Sequence, residues 1–157
     1  MKQRFTSKQT SINSTKAPAV YSMKRAVDVM TGKTVVDIGG GRFDTAAEAA
    51  RVYGAAVSIY DPFNRTPEHN AAVLAGSYDV AVISNVLNVI DSEAARGDVV
   101  RLAATKAAAL LITIYEGDGS GTGRQPPIVG KKTGAPLIIW TKSPPLSRAG
   151  MLPGLVV

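Results

Sequence analysis

Cysteine is absent from the chain, and histidine and tryptophan occur once each, as His69 and Trp140. Without thiols there is no disulfide framework and no thiolate metal site. A single imidazole excludes a multi-histidine centre. Long apolar runs are missing too: nothing approaches the roughly 18 residues of a membrane span, and the polar first residues do not form a secretory signal. The expectation is a soluble, cytoplasmic protein with no membrane contact. Its 157 residues suit one domain with a single buried core.

Acidic residues are missing from both ends. Residues 1–25 hold six bases and no acid, residues 124–157 hold five and no acid, and charges of +6 and +5 thus flank a middle of −5. Two readings stand. Basic termini attract nucleic acid or another polyanion, or they are solvated arms, since neither end interleaves aromatics with its bases as a single-strand-binding surface does. Residues 1–16 lack periodicity and read as a mobile basic arm.

The most informative stretch is Lys33 to Asp44. Thr34-Val35-Val36 and Ile38 form an apolar, β-branched run that ends at Gly39, Gly40 and Gly41. Thr45-Ala46-Ala47-Glu48 then reads as a helix start with a capping box. Strand, glycine turn and helix together hold nucleotide-like ligands, because glycine lets the backbone approach and the helix start offers N–H groups. The dinucleotide fingerprint is incomplete, with Asp44 where a third glycine belongs. The strand carries an acid, Asp37, which suits a cationic ligand better than a pyrophosphate.

Pattern and punctuation predict the other elements. A helix opens at Pro18 and runs to about Met30, with Val20, Met23, Val27 and Met30 at helical spacing. Helix 45–53 ends at Gly54, and strand 55–60 ends at Asp61-Pro62. Asp61 lies 24 residues after Asp37, near the separation of about 20 expected between a glycine turn and a ribose-binding acid. Phe63 to Asn70 reads as a loop holding His69, either a surface residue or a general base. Residues 71–75 form a short helix or vestigial strand. Strand 78–84 leads into Asn85-Val86-Leu87-Asn88, then a helix over about 93–108 capped by Asp91-Ser92-Glu93, then strand 109–115. This alternation predicts an α/β fold: a doubly wound, mainly parallel Rossmann-like sheet with helices on both faces. Ligands of such sheets sit beyond the strands' carboxyl ends, here Asp37–Gly41, Asp61, Ser84–Asn88 and 115–119. Gly117 to Arg124, with alternate glycines, reads as a substrate lid with Arg124 holding an anion, or as a connector. Six of the nine prolines fall in residues 126–153, where only 136–141 looks like a strand.

Asp-x-Gly-x-Gly after a strand resembles motif I of class I S-adenosylmethionine-dependent methyltransferases. Tyr60-Asp61-Pro62 and Ser84-Asn85-Val86-Leu87-Asn88-Val89-Ile90 resemble the corresponding segments of phage-encoded members and of methyltransferases associated with DNA phosphorothioation clusters. The resemblance covers roughly residues 16–124. It implies a cofactor-binding domain over 17–124; the Pro-rich basic tail, 125–157, offers one strand by pattern where the family ends in an antiparallel pair, and reads either as the end of a shortened C-terminal sheet or as a non-native extension. It further implies that Asp37, Gly39, Gly40 and Gly41 contact the methionine portion of S-adenosylmethionine. Asp61, with Pro62, would take the ribose hydroxyls. Ser84, Asn85 and Asn88 would line the pocket near the sulfonium, with Val86 or Leu87 against the adenine. The segment departs from the Asn/Asp-Pro-Pro-aromatic pattern of base N-methyltransferases, which argues against base flipping. No catalytic residue is named, because alignment and desolvation supply most of such chemistry.

The functional expectation is methyl transfer from S-adenosylmethionine to a small-molecule or nucleic-acid-related acceptor. A non-catalytic binder of the same cofactor, or a lyase or hydrolase that degrades it, is the alternative. A homo-oligomer is compatible with the tail as a contact.

Overall fold

The computed structural model describes residues 15–90, 92–114, 137–141 and 155–156. Nearly all of the expected basic arm, the glycine lid and most of the Pro-rich tail lie outside the described residues, as does Asp91.

Among the described residues six strands form one sheet in the order β2-β1-β3-β4-β5-β6. β1 (Thr34–Ile38), β2 (Ala56–Tyr60), β3 (Tyr78–Ser84) and β4 (Ala107–Thr113) are parallel. β5 (Leu137–Thr141) pairs antiparallel with β4, and the two-residue β6 (Leu155–Val156) pairs antiparallel with β5. β5 occupies the strand expected over 136–141, while two residues are too few to announce β6 by pattern.

The helices cover both faces. On one face α1 (Lys24–Met30) and α2 (Thr45–Ala50) bury Ala26, Met30, Ala46 and Ala50 against Val35, Ile59, Val80, Val82 and Leu111. On the other, α3 (Pro67–Ala75) and α4 (Glu93–Lys106) bury Val73, Val99 and Ala103 against Val36, Ile38, Ala81, Ile83 and Leu110. This is the doubly wound Rossmann-like arrangement expected from the alternation of elements. Alternate residues of β1 serve opposite layers, so every position from Val35 to Ile38 is buried.

Several boundaries differ from expectation, each for a local reason. The first helix is split: Ala19–Ser22 is a 3₁₀ turn, extended backbone at Met23 interrupts it, and α1 starts at Lys24. No capping box forms. Asp44, not Thr45, precedes the first turn of α2, and its side chain is drawn to Arg65 instead of the helix N–H groups. The expected loop 63–70 becomes helical from Pro67, because the Thr66 side chain accepts from the His69 N–H at 3.2 Å and proline fits the first turn. Helix α4 stops at Lys106 and β4 begins at once, two residues early, because Ala107 pairs with Tyr78. Lys106 closes the end of α3 by donating to the Leu74 carbonyl.

The amino ends of β1 and β3 are locked reciprocally. Thr34 donates its N–H and its hydroxyl to the Asp79 carboxylate, both at 2.9 Å, and accepts the Asp79 N–H at 3.1 Å. Those two donors hold the Asp79 carboxyl below its usual range. That end of the sheet therefore fixes register, and the opposite end is left for chemistry. Among the described residues no helix is long and apolar enough to cross a membrane, and no cluster of three metal-ligating side chains occurs.

Candidate functional site at the carboxyl ends of the strands

The chain leaves β1 for β2 on one side and returns to β3 on the other, so the switch point of the sheet lies between the carboxyl ends of β1 and β3. The glycine turn and the Ser84–Asn88 segment meet there. Gly39 and Gly41 have φ of +82° and +79°, which admits glycine with least strain. A Cβ at Gly39 would lie 2.5 Å from Val86 Cγ2, so Val86 is seated directly on the glycine backbone. A Cβ at Gly40 would meet Ile59 at 2.8 Å and the Asp37 carboxyl carbon at 2.9 Å. The first two glycines are thus required by tight packing above and below the turn.

Asp37 sits beneath that turn, 1% exposed. Its Oδ2 accepts the Tyr21 hydroxyl at 2.8 Å. Burial pushes its carboxyl up to about 6; the Tyr21 bond opposes the rise and the charge of Asp61 adds to it. Burial, and then the Asp37 charge, push the Tyr21 hydroxyl well above its usual range. Asp37 lies on the face of β1 shared with Val35, toward the α1–α2 layer, and supports the turn from below.

Asp61, at the tip of β2, is 5% exposed. Its Oδ2 accepts the Gly41 N–H at 2.9 Å. Its Oδ1 accepts the Phe63 N–H at 2.9 Å, the Asn64 N–H at 3.0 Å and the Asn64 side-chain amide at 2.9 Å. Asn70 clamps the backbone of Asp61 from the other side, donating to its carbonyl at 2.8 Å and accepting its N–H at 3.1 Å. Arg65 completes the junction, with Nε donating to the Gly41 carbonyl at 2.8 Å and Nη2 to Asp44 at 2.9 Å. Pro62 is exposed.

Beyond β3, the Ser84 hydroxyl accepts that of Thr113 at 2.9 Å, and the Asn85 N–H donates to the Thr113 carbonyl at 2.9 Å. Asn85 has φ of +57°, the one non-glycine residue in the left-handed region among those described. The side-chain oxygens of Asn85 and Asn88 are buried and accept no hydrogen bond. Buried polar atoms without partners are rare and costly, and these two belong to one short segment at the switch point. Val86 and Leu87 pack on the α3–α4 layer of the core.

The structure therefore gathers Asp37, Gly39, Gly40, Gly41 and Asp61 into one cluster, and Val86 joins the Ser84–Asn88 segment to it. His69 lies apart. Its Nε2 is 2.7 Å from the Ile59 carbonyl and so carries the proton, covering the outer edge of β2. Tyr21, Asn64, Arg65 and Asn70 are structural members of the site that no motif in the sequence points to. For Asn64 there is a local signal: Asp-Pro-x-Asn is turn chemistry in which an aspartate bonds the backbone two residues on.

No protein-family model matches the chain, and no curated protein matches it. Among solved structures it is similar in part to the mitomycin 7-O-methyltransferase MmcR, at 17% identity and a TM-score of 0.43, over 67% of this chain and 39% of that one. It is also similar in part to Thermoplasma acidophilum 1320, at 17% identity and a TM-score of 0.38, over 53% of this chain and 52% of that one. The chain thus spans about half or less of either neighbour's length. Neither likeness bears on what this chain does.

Proposed function

We propose that this chain binds S-adenosylmethionine and transfers its methyl group to an acceptor, as the resemblance of its motifs implies. The observation that carries the reading is the pair of buried, unpartnered amide oxygens of Asn85 and Asn88 at the switch point. Amide oxygens without donors suit a ligand that brings N–H groups or positive charge, and S-adenosylmethionine brings an ammonium, a sulfonium and an amino group. The strained φ of Asn85 supports the same reading, since strain of this kind clusters at ligand sites.

The residues fit the amino-acid end of the cofactor. Asn85 and Asn88 would accept its hydrogen bonds beside the glycine turn. At the ribose end Asp61 would take the hydroxyls, in place of donors from Gly41, Phe63 and Asn64 that now engage its oxygens. When bound, the cofactor supplies an electrophilic methyl group. The chain's own part is to hold and orient it, to keep water from the crevice, and to bring the acceptor into line. Asp37, ionised above about pH 6, adds negative potential beneath the turn, favourable to a cation.

Calorimetric titration with S-adenosylmethionine, S-adenosylhomocysteine and NAD tests the proposal. Binding of the first two but not NAD, weakened in Asn88→Leu, is expected; a folded protein that binds none of them would sink it. A non-catalytic binder is the second reading, because no side chain of the site is identified as catalytic. Release of S-adenosylhomocysteine on incubation with candidate acceptors separates the two, and methylthioadenosine or adenosine appearing without an acceptor would indicate degradation instead. The acceptor, a nucleic-acid role for the basic termini, self-association and a phage origin belong to the same proposal and wait on the same first result.

A further inference from the structure

We propose that Asn64 and Arg65 form a latch that keeps Asp61 closed, so that a ligand carrying a vicinal diol binds only by displacing it. The inference rests on the cofactor reading above and adds a control to it.

A carboxylate offers about four accepting positions. Asp61 receives four donors between 2.9 and 3.0 Å: the Gly41 N–H on Oδ2, and the Phe63 N–H, the Asn64 N–H and the Asn64 side-chain amide crowded on Oδ1. At 5% exposure it has no open approach. A pair of ribose hydroxyls would bring two more donors, so at least one of those on Oδ1 must leave. The Asn64 amide is the donor that can leave without moving the backbone. Removal of the Phe63 and Asn64 N–H groups requires the turn over 62–65 to swing outward.

Arg65 resists that swing. Its Nε holds the Gly41 carbonyl at 2.8 Å while Asp61 holds the Gly41 N–H, so both sides of one glycine are tied to the β2 tip. Its Nη2 bond to Asp44 is the weaker leg, because Asp44 is 65% exposed against 14% for Arg65. The outer part of the turn is lightly held. Phe63 is 55% exposed and Pro62 is exposed, and an open depression lined by Arg42, Phe63, Asn64, Arg65 and Thr66 lies alongside to receive the movement. Asn70 secures the backbone of Asp61 and reaches the Arg65 carbonyl at 3.4 Å, and the Arg65 N–H closes on the Asp61 carbonyl at 3.1 Å, so the acid stays in place while the tip of the turn opens. A turn tied at both ends and thinly packed at its tip is a gate.

The test compares wild type with Asn64→Ala and Arg65→Met in the full chain, titrated with S-adenosylhomocysteine and with its 2′-deoxy analogue. Asn64→Ala removes one hydrogen bond to a charged acceptor and should tighten S-adenosylhomocysteine by about tenfold; Arg65→Met removes the bonds to Gly41 and Asp44 and should tighten it in the same direction, with the 2′-deoxy ligand little changed in both. That selectivity for the diol is a readout that general loosening would not produce. Thermal unfolding identifies which variants are folded, and either one suffices. Affinity that falls or stays level in a folded variant, while wild type binds, overturns the latch and leaves the cofactor reading standing. Absence of binding by wild type and folded variants alike overturns both.

Discussion

Replacing Asp37 by asparagine should stabilise the protein at neutral pH and remove a specific part of its pH dependence. Asp37 is 1% exposed, and its carboxyl is raised from 3.8 to about 6. A raised carboxyl means that the folded state holds the proton more tightly than the unfolded chain. Its contribution is therefore fully present below about pH 4, is lost as pH rises to about 6, and is constant above that. The loss across that window is about 3 kcal/mol, because each tenfold difference in proton affinity between the two states is worth about 1.4 kcal/mol. The amide of the Asp37→Asn variant would keep an oxygen for the Tyr21 hydroxyl, now 2.8 Å from Asp37, and has no charge to bury. For a chain of this length, about 3 kcal/mol corresponds to about 6–12 °C in Tm. The assay is calorimetric unfolding of both proteins from pH 4 to pH 8. The difference between the two profiles isolates Asp37 from every other carboxylate. It should be small at pH 4, grow through pH 6 in favour of the variant, and then level. Parallel profiles would refute the reasoning, and so would a variant that loses ground as pH rises. If Asp37 serves a cationic ligand, the stabilised variant should also bind S-adenosylmethionine more weakly than S-adenosylhomocysteine, relative to wild type.

Other substitutions separate strain from contact. Gly39→Ala combines a left-handed φ of +82° with a Cβ 2.5 Å from Val86, and should cost about 2–4 kcal/mol; adding Val86→Ala should recover the clash and leave about 1 kcal/mol of backbone strain, read as a double-mutant cycle in urea. Asn85→Gly should relieve the φ of +57° and stabilise by up to about 1 kcal/mol, yet weaken ligand binding by removing an acceptor, so stability and titration should move in opposite directions. Thr66→Ala removes the side-chain cap of α3 and should lower stability by about 1 kcal/mol, with titration of the glycine-turn ligand unchanged.

Legibility from sequence follows the range of the interactions. β1 and β3 run over the expected residues because β-branched runs bounded by glycine and polar residues are local signals. β4 starts two residues before its expected position because Ala107-Ala108 continues a helical composition, and only pairing with β3 makes it strand. The Thr45/Glu48 pattern is present in the chain and yet not used, since Asp44 occupies the capping position and turns to Arg65, 21 residues away. Thr66-Pro67 is an equally local signal, and it outweighs the polar composition that reads as loop. The Tyr21–Asp37 bond joins elements 16 residues apart with no spacing rule behind it. Motif spacing places Asp61 at a strand tip, but which atoms its oxygens face depends on a turn that spacing does not describe. Orphaned atoms such as Asn85 Oδ1 are invisible to any pattern.

The distribution of uncompensated groups says where the fold departs from its own consistency. At the amino ends of the strands Thr34 and Asp79 satisfy one another, and Lys106 closes the end of α3. At the carboxyl ends the pattern reverses: a fully buried acid, a non-glycine residue in left-handed backbone and two amide oxygens without donors lie around one glycine turn. The third orphan among the described residues, the Tyr53 hydroxyl, is on a side chain packed against the core layer that holds Tyr21. Each of these departures costs on the order of 1–3 kcal/mol by itself, a large part of a typical domain's net stability of roughly 5–15 kcal/mol. A scaffold with no ligand would gain from an amide at Asp37, glycine at Asn85 and an apolar side chain at Asn88. Their concentration at the switch point is what a site completed by a ligand looks like from the protein's side. The Asp37→Asn, Asn85→Gly and Asn88→Leu variants together measure that trade: a gain in stability at each position, and weaker binding of S-adenosylmethionine at all three.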